Sequence, residues 1–185
     1  MDSTVNTQVL MSIPDYLEYE KTCEFRNDYV GGILYPLTGT SKRHNILLGN
    51  FLPLFADVRH KGCHIFANSV KLHPTPDTFY YPDLMFTCEP SEDEYVVDQA
   101  CLVVEILSER TEVRDRFEKW AAYKQMDSLQ HYLLVHQDKP WIEHFQRDDA
   151  GQWQLSHHHA GEIALKCPEM SLRLTDVYVG VLDVG

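Results

Sequence analysis

Apolar positions along this chain follow two spacings. The longest apolar run is Cys101-Leu102-Val103-Val104-Glu105-Ile106-Leu107, in which a single carboxylate interrupts residues that otherwise read as a strand buried on both faces. Leu129 to Val135 repeats the pattern, and between them residues 111–126 carry helical spacing, with Phe117, Trp120, Ala121 and the stem of Lys124 as the predicted inward stripe. Strand, helix, strand with short connections predicts a crossover that leaves the two strands parallel. Upstream, Ser12-Ile13-Pro14-Asp15 reads as a helix start, and Asp28 to Tyr35 as two strands about a Gly31-Gly32 turn. Thr40 or Ser41 can cap a second helix whose apolar positions are Ile46, Leu47, Phe51, Leu54, Phe55 and Val58, with Pro53 inside it. His64–Leu72 and Phe79–Thr87 read as strands, and the acidic stretch Glu89–Asp98 as a surface loop. Trp141–Arg147 and Gln152–His158 flank a turn and read as a hairpin near the C-terminus. Thr175-Asp176 caps a short helix through Val181. The prediction is an α/β (α+β) domain over residues 12–185, preceded by a flexible end at 1–11.

Length and composition narrow the class. At 185 residues, 44% hydrophobic and 24% charged, the chain suits one globular core, and no apolar run approaches the roughly 18 residues of a membrane span. The N-terminus lacks a signal peptide's order, and five cysteines without CxxC spacing predict a reduced, cytoplasmic protein in which Cys101 is an ordinary core residue. The net charge of −12 argues against a strongly basic nucleic-acid surface. Its distribution is uneven, however: residues 42–71 hold Lys42, Arg43, Arg59, Lys61 and Lys71 against the lone acid Asp57. Residues 108–124 hold five basic against four acidic residues, so only part of the molecule is suited to a phosphate backbone, and solvated charged faces are the plainer reading of charge alone.

Glu105 asks for a partner, because a carboxylate inside an apolar strand is costly unless it is paired, caged or bound to metal. Asp83, in Tyr81-Pro82-Asp83-Leu84, sits just inside a strand and could meet Glu105 at one sheet edge, giving the oxygen pair that a hard divalent cation requires. As an acid following proline, Asp83 also fits a turn role. On the following helix Asp115, Lys119 and Tyr123 fall at i, i+4 and i+8, hence on one face. Spacing alone favours a surface ion pair between Asp115 and Lys119, yet a helix packed on the sheet would aim Lys119 at the carboxylates. Asp28 can add a further acid or cap its turn. His44, beside Lys42 and Arg43 in the first turn of a helix, fits phosphate binding or a plain surface position. The run His157-His158-His159 is a poor chelate, since a strand sends alternate side chains to opposite faces.

Taken in order, Asp28-Tyr29-Val30-x-Gly32, Ser41-x-x-His44, Tyr81-Pro82-Asp83, Val104-Glu105-Ile106-Leu107-Ser108-x-x-Thr111, Asp115-Arg116-x-x-Lys119 and Tyr132-Leu133-Leu134-Val135 resemble the Uma-two family of restriction-endonuclease-like proteins, within the PD-(D/E)XK nuclease superfamily. The resemblance spans about residues 12 to 180. It implies a restriction-endonuclease-like core, a mixed sheet flanked by helices, and Mg²⁺-dependent hydrolysis of DNA phosphodiesters, with Mn²⁺ as a substitute. Asp83 and Glu105 match the metal-holding acids. The superfamily's usual lysine position is Leu107 here, and the family's lysine from the next helix matches Lys119. Asp28 stands for an upstream acid that is usually Glu, and His44 for the helix histidine. Many relatives read Gly-Glu where this chain has Gly32-Ile33.

Three readings follow. The first is a metal-dependent DNA endonuclease using Asp83, Glu105, Lys119 and Asp28, with His44, Lys42, Arg43 and Lys71 toward nucleic acid. The second is a nuclease-fold module, weak or inactive in catalysis, that binds nucleic acid or protein as a dimer. The third is a hydrolase of another phosphoester. The aromatics Trp141, Phe145 and Trp153, read as exposed, supply the expectation of a homodimer.

Overall fold

The structure is a computed structural model that describes residues 10–58, 62–182 and 184. Residues 1–9 of the expected loose end lie outside the described residues, as do Arg59 and Lys61. Met11 is tied down: its N–H donates to the Gly32 carbonyl at 2.9 Å and its own carbonyl accepts from the Tyr29 hydroxyl. Helix α1 (Ile13–Thr22) starts as predicted, with the Ser12 hydroxyl accepting the Asp15 N–H and Pro14 in the first turn. Strands β1 (Asn27–Val30) and β2 (Ile33–Pro36) form a hairpin about Gly31 and Gly32, whose φ angles of 55° and 94° favour glycine. Gly32 is constrained twice over, since a Cβ there would lie 2.7 Å from that of Leu10. Helix α2 (Lys42–Leu54) is capped by Ser41, and Pro53 falls in its last turn, where it ends the helix.

Two long strands read from the sequence are each broken. β3 (His64–Ala67) and β4 (Lys71–Thr75) are separated by a bend at Asn68, whose φ is 56°. β5 (Thr78–Tyr80) and β6 (Leu84–Thr87) are separated at Pro82, which has no N–H for the ladder. Each break sends the chain from one sheet to another. The acidic loop is likewise corrected at its end, where Val96 and Val97 are buried as β7 and pair parallel to β4. β8 (Leu102–Leu107) and β9 (His131–His136) are parallel, joined through a π-helical turn (Arg114–Lys119) that runs into α3 (Trp120–Tyr123). β10 (Ile142–Arg147) and β11 (Trp153–His158) form the expected hairpin. β12 (Glu162–Lys166), β13 (Glu169–Arg173) and α4 (Leu174–Val177) follow; this second hairpin was not read from the sequence.

A six-stranded mixed sheet, ordered β11-β10-β9-β8-β6-β3, stands beside a five-stranded sheet, ordered β2-β1-β5-β4-β7. Alternation along β8 divides the core. Leu102, Val104 and Ile106 join Leu47, Phe51 and Phe55 of α2 and Leu172, Leu174 and Tyr178 near the C-terminus. Val103 and Leu107 face the other way, among Tyr123, Tyr132, Leu134 and, from the five-stranded sheet, Leu72 and Tyr80. Glu105 belongs to this second face. The inward stripe of its covering helix is not the one predicted: Phe117 is 69% exposed, and Asp115, Lys119, Ala122 and Tyr123 are buried.

Two further expectations are corrected. Cys101 is bonded to Cys167, and Cys63 to Cys88, which leaves Cys23 as the free cysteine among the described residues. Sequence spacing could not pair them. Cys63 precedes β3 and Cys88 follows β6, and only the antiparallel β3–β6 register sets them opposite each other. The aromatics offered as an interface are largely engaged within the chain. Phe145 and Trp153 pack on Trp120 at 4.3 and 4.8 Å, and all three of Trp141, Phe145 and Trp153 are half-buried.

Candidate active site around Glu105

The β6–β8 register pairs Leu84 with Val104, so Asp83 and Glu105 stand opposite one another one step beyond that pair. The Asp83 N–H reaches toward Glu105 Oε2 at 3.4 Å. Asp83 Oδ2 accepts the Ile106 N–H at 2.7 Å and meets His44 Nε2 at 3.0 Å. His44 is delivered by the first turn of α2, where Ser41 holds its backbone N–H. It is therefore a buried partner of Asp83 rather than an exposed phosphate ligand. Its Nδ1 is buried without a hydrogen bond.

Glu105 is 2% exposed. Its Oε1 accepts from Lys119 Nζ at 2.9 Å and from the Tyr123 hydroxyl at 2.9 Å. Lys119 also lies 3.0 Å from Asp115 Oδ1, so one ammonium serves two buried carboxylates. Burial opposes the lysine's charge, but Glu105, Asp115 and Asp28 outweigh it and hold Lys119 well above the usual amine value. Burial pushes Glu105 the opposite way for an acid, up to about 8 from its usual 4.5, with Asp115 and Asp83 adding repulsion that Lys119 only partly cancels. The cluster is short of positive charge.

Asp28 is fully buried and raised above the usual carboxyl value by desolvation, which Lys119 and Arg114 offset in part. Its two oxygens are used separately. Oδ2 pairs with Arg114 Nη1 at 2.7 Å, and Oδ1 accepts the Tyr81 N–H at 2.8 Å. Thus Asp28 holds the start of Tyr81-Pro82-Asp83 without itself touching Glu105.

The π turn explains how one helix reaches both acids. In an α-helix, residues five apart point about 140° apart, whereas i→i+5 bonding widens the turn and brings them toward one side. Arg114 and Lys119, five apart, meet Asp28 and Glu105 respectively. Beneath the turn, the Tyr132 hydroxyl donates to the Asp115 carbonyl at 3.0 Å. Sequence reasoning placed Tyr123 on the right face without a role, and it missed Arg114 altogether, because a π turn leaves no spacing signature at the α-helical period.

The remaining candidates are not gathered here. Arg43 is on the surface, paired with Asp138 at 2.6 Å, and Lys42 is exposed beside it. Lys71 is 7% exposed and borders a separate cavity. His157 and His159 face Trp141 while His158 turns to Ser156 and His144, as alternation requires.

Among the described residues, no three His, Cys, Asp or Glu side chains are gathered to hold a metal ion by themselves. Asp83 and Glu105 nevertheless suit a hard cation that keeps part of its water shell. They stand opposite each other across the β6–β8 pair, in a cluster whose burial already disfavours the negative charge of Glu105.

Residues 13–176 match the Uma2 family, described as "Putative restriction endonuclease". Two proteins of Synechocystis are similar over nearly their whole length. "Uncharacterized protein slr1290" is 29% identical over 92% of this chain and 93% of its own. "Uncharacterized protein sll1609" is 28% identical over 82% of this chain and 89% of its own. A solved structure from Anabaena variabilis, described as "a putative nuclease belonging to DUF820", superposes with a TM-score of 0.72 at 14% identity. The superposition covers 90% of this chain and 98% of that one, and so the fold is restriction-endonuclease-like.

Proposed function

This chain belongs to the Uma2 family, and from that premise we propose that it is a metal-dependent endonuclease hydrolysing DNA phosphodiester bonds. The observation that carries the reading is the charge-deficient cluster in which Asp83 and Glu105 adjoin and Glu105 is pushed up to about 8. Asp83 and Glu105 would hold Mg²⁺, or Mn²⁺ in its place. When bound, such an ion supplies Lewis acidity and lowers the pKa of attached water.

The chain's own groups have separable tasks in this reading. His44 and the Ile106 N–H fix the Asp83 carboxylate through Oδ2, and its other oxygen would be available to hold a cation. Tyr123 and Lys119 orient Glu105 through Oε1. Lys119, held protonated, stabilises the negative charge that develops on the phosphoryl oxygens. Asp28 acts as a positioning residue, neutralised by Arg114 and gripping the Tyr81 N–H. Lys42 and Arg43 at the start of α2 are the surface cations nearest in sequence to His44 and would meet the DNA backbone.

Supercoiled plasmid incubated with purified protein and Mg²⁺ or Mn²⁺ tests this. Nicking is expected to depend on the metal and to fall by on the order of 10³-fold in Asp83→Asn and in Glu105→Gln, since each removes a group that acts only with the other in place. Nicking unchanged in both variants would sink the proposal.

A further inference from the structure

A second site lies apart from Glu105 and shares no residue with it. Between α1, β4 and the acidic loop is a cavity of about 290 Å³, bordered among others by Glu20, Arg26, Lys71, Tyr81, Asp93 and Tyr95. Lys71 is its unusual member. It is 7% exposed, and among the described residues its ammonium has neither an ion pair nor a side-chain hydrogen bond; its Nζ sits over the Tyr81 ring, 5.5 Å from the centroid. A lysine this enclosed is seldom found without an ion-pair partner, and its ammonium opens on the cavity.

Glu20 and Asp93 attract the Lys71 ammonium from a distance, but neither forms an ion pair with it among the described residues. Glu20 is occupied elsewhere, its Oε1 accepting from Asn27 Nδ2 at 2.7 Å and its Oε2 from the Tyr81 hydroxyl at 2.8 Å. Asp93 is exposed and accepts the Tyr95 N–H at 2.7 Å. Arg26, a second cation on the cavity, is exposed and also has no ion pair among the described residues. The rings of Tyr81 and Tyr95 provide flat apolar surface beside these cations, and Tyr95 is 61% exposed.

We propose that this cavity binds a small organic anion, with its phosphate or carboxylate head on Lys71 and Arg26 and its flat body against Tyr81 and Tyr95. Two cations of different burial suit such a ligand: Lys71 recognises the desolvated head, and Arg26 closes over it from the rim. Desolvation outweighs the pull of Glu20 and lowers the Lys71 pKa, and an anion beside it would raise it again. The inference is independent of the nuclease reading, since none of its residues belongs to the Asp83–Glu105 cluster.

Three probes titrated into the full chain decide it: dAMP, benzoate and inorganic phosphate, followed by the NMR signals of the Lys71 side chain. At least one aromatic anion is expected to shift the Lys71 signals saturably. Affinity is expected to fall at least tenfold in Lys71→Met and in Arg26→Gln. Binding of dAMP without benzoate assigns a phosphate head, and the converse assigns a carboxylate. If the Lys71 signals stay unmoved by all three at millimolar concentration, or if either folded variant keeps the parent's affinity, the proposal is overturned. Arg26→Gln alters an exposed side chain and so provides the comparison even if Lys71→Met fails to fold.

Discussion

Lys119 carries one charge between two buried carboxylates, and this decides what its loss does. Replacing it by Met strands Glu105 and Asp115 together, and removing one side of a buried pair costs about 3–5 kcal/mol. Urea unfolding at pH 9, above the value of about 8 to which Glu105 is pushed, should show that loss in Lys119→Met. The same shortage of cations sets a pH dependence. The Glu105 carboxyl holds its proton more tightly in the fold than in the unfolded chain, so its contribution to stability is complete below its usual value of 4.5 and is lost as pH rises through about 8. In the proposed nuclease reading a divalent cation would replace that proton. The rise in melting temperature produced by Mg²⁺ is therefore expected to be small at pH 6 and to grow through pH 8, as read by differential scanning fluorimetry. Equal shifts at pH 6 and pH 9 would contradict it. Glu105 itself was legible in the sequence, because a lone acid in an apolar strand is an anomaly whatever the fold. His44 as a partner of Asp83 was not, since nothing local tells a helix-start histidine on the surface from one turned inward.

At the scale of elements, the π turn is what sequence periodicity could not show. A reading at 3.6 residues per turn put Phe117 inside and treated Asp115 and Lys119 as a surface pair, whereas Phe117 is 69% exposed and the ion pair is the buried face. The apolar run of β8, its parallel partner β9 and the caps Ser12 and Ser41 were all legible, since each is a local pattern. The broken strands were not, because β-rich composition continues across Asn68 and Pro82 while the backbone changes sheets. Deleting the exposed Phe117 should test the turn. The helix would revert toward α-helical register, and Arg114 and Lys119 would no longer reach Asp28 and Glu105 together. Far-UV circular dichroism is expected to stay near the parent's, with stability falling by about 3 kcal/mol as a buried acid loses its partner. Retention of full stability would mean that the wide turn is incidental.

For the whole molecule, the two disulfides close loops with sequence separations of 25 and 66 residues. In a chain-entropy account each contributes about 3–4 kcal/mol by restricting the unfolded chain, so urea midpoints measured with and without dithiothreitol should differ strongly. Equal midpoints would remove the cross-links from any role in stability. A larger consequence comes from Tyr81. Its hydroxyl and ring face the Lys71 cavity, its N–H is gripped by Asp28, and two residues later the chain presents Asp83. Tyr81 thus bridges two sites that share no side chain. If occupancy of one shifts this segment, thermodynamic reciprocity fixes the rest: the factor by which Mg²⁺ alters affinity for an anion in the cavity equals the factor by which that anion alters affinity for Mg²⁺. The three-residue span from Tyr81 to Asp83 would then make the protein an allosteric one, with the small anion as effector.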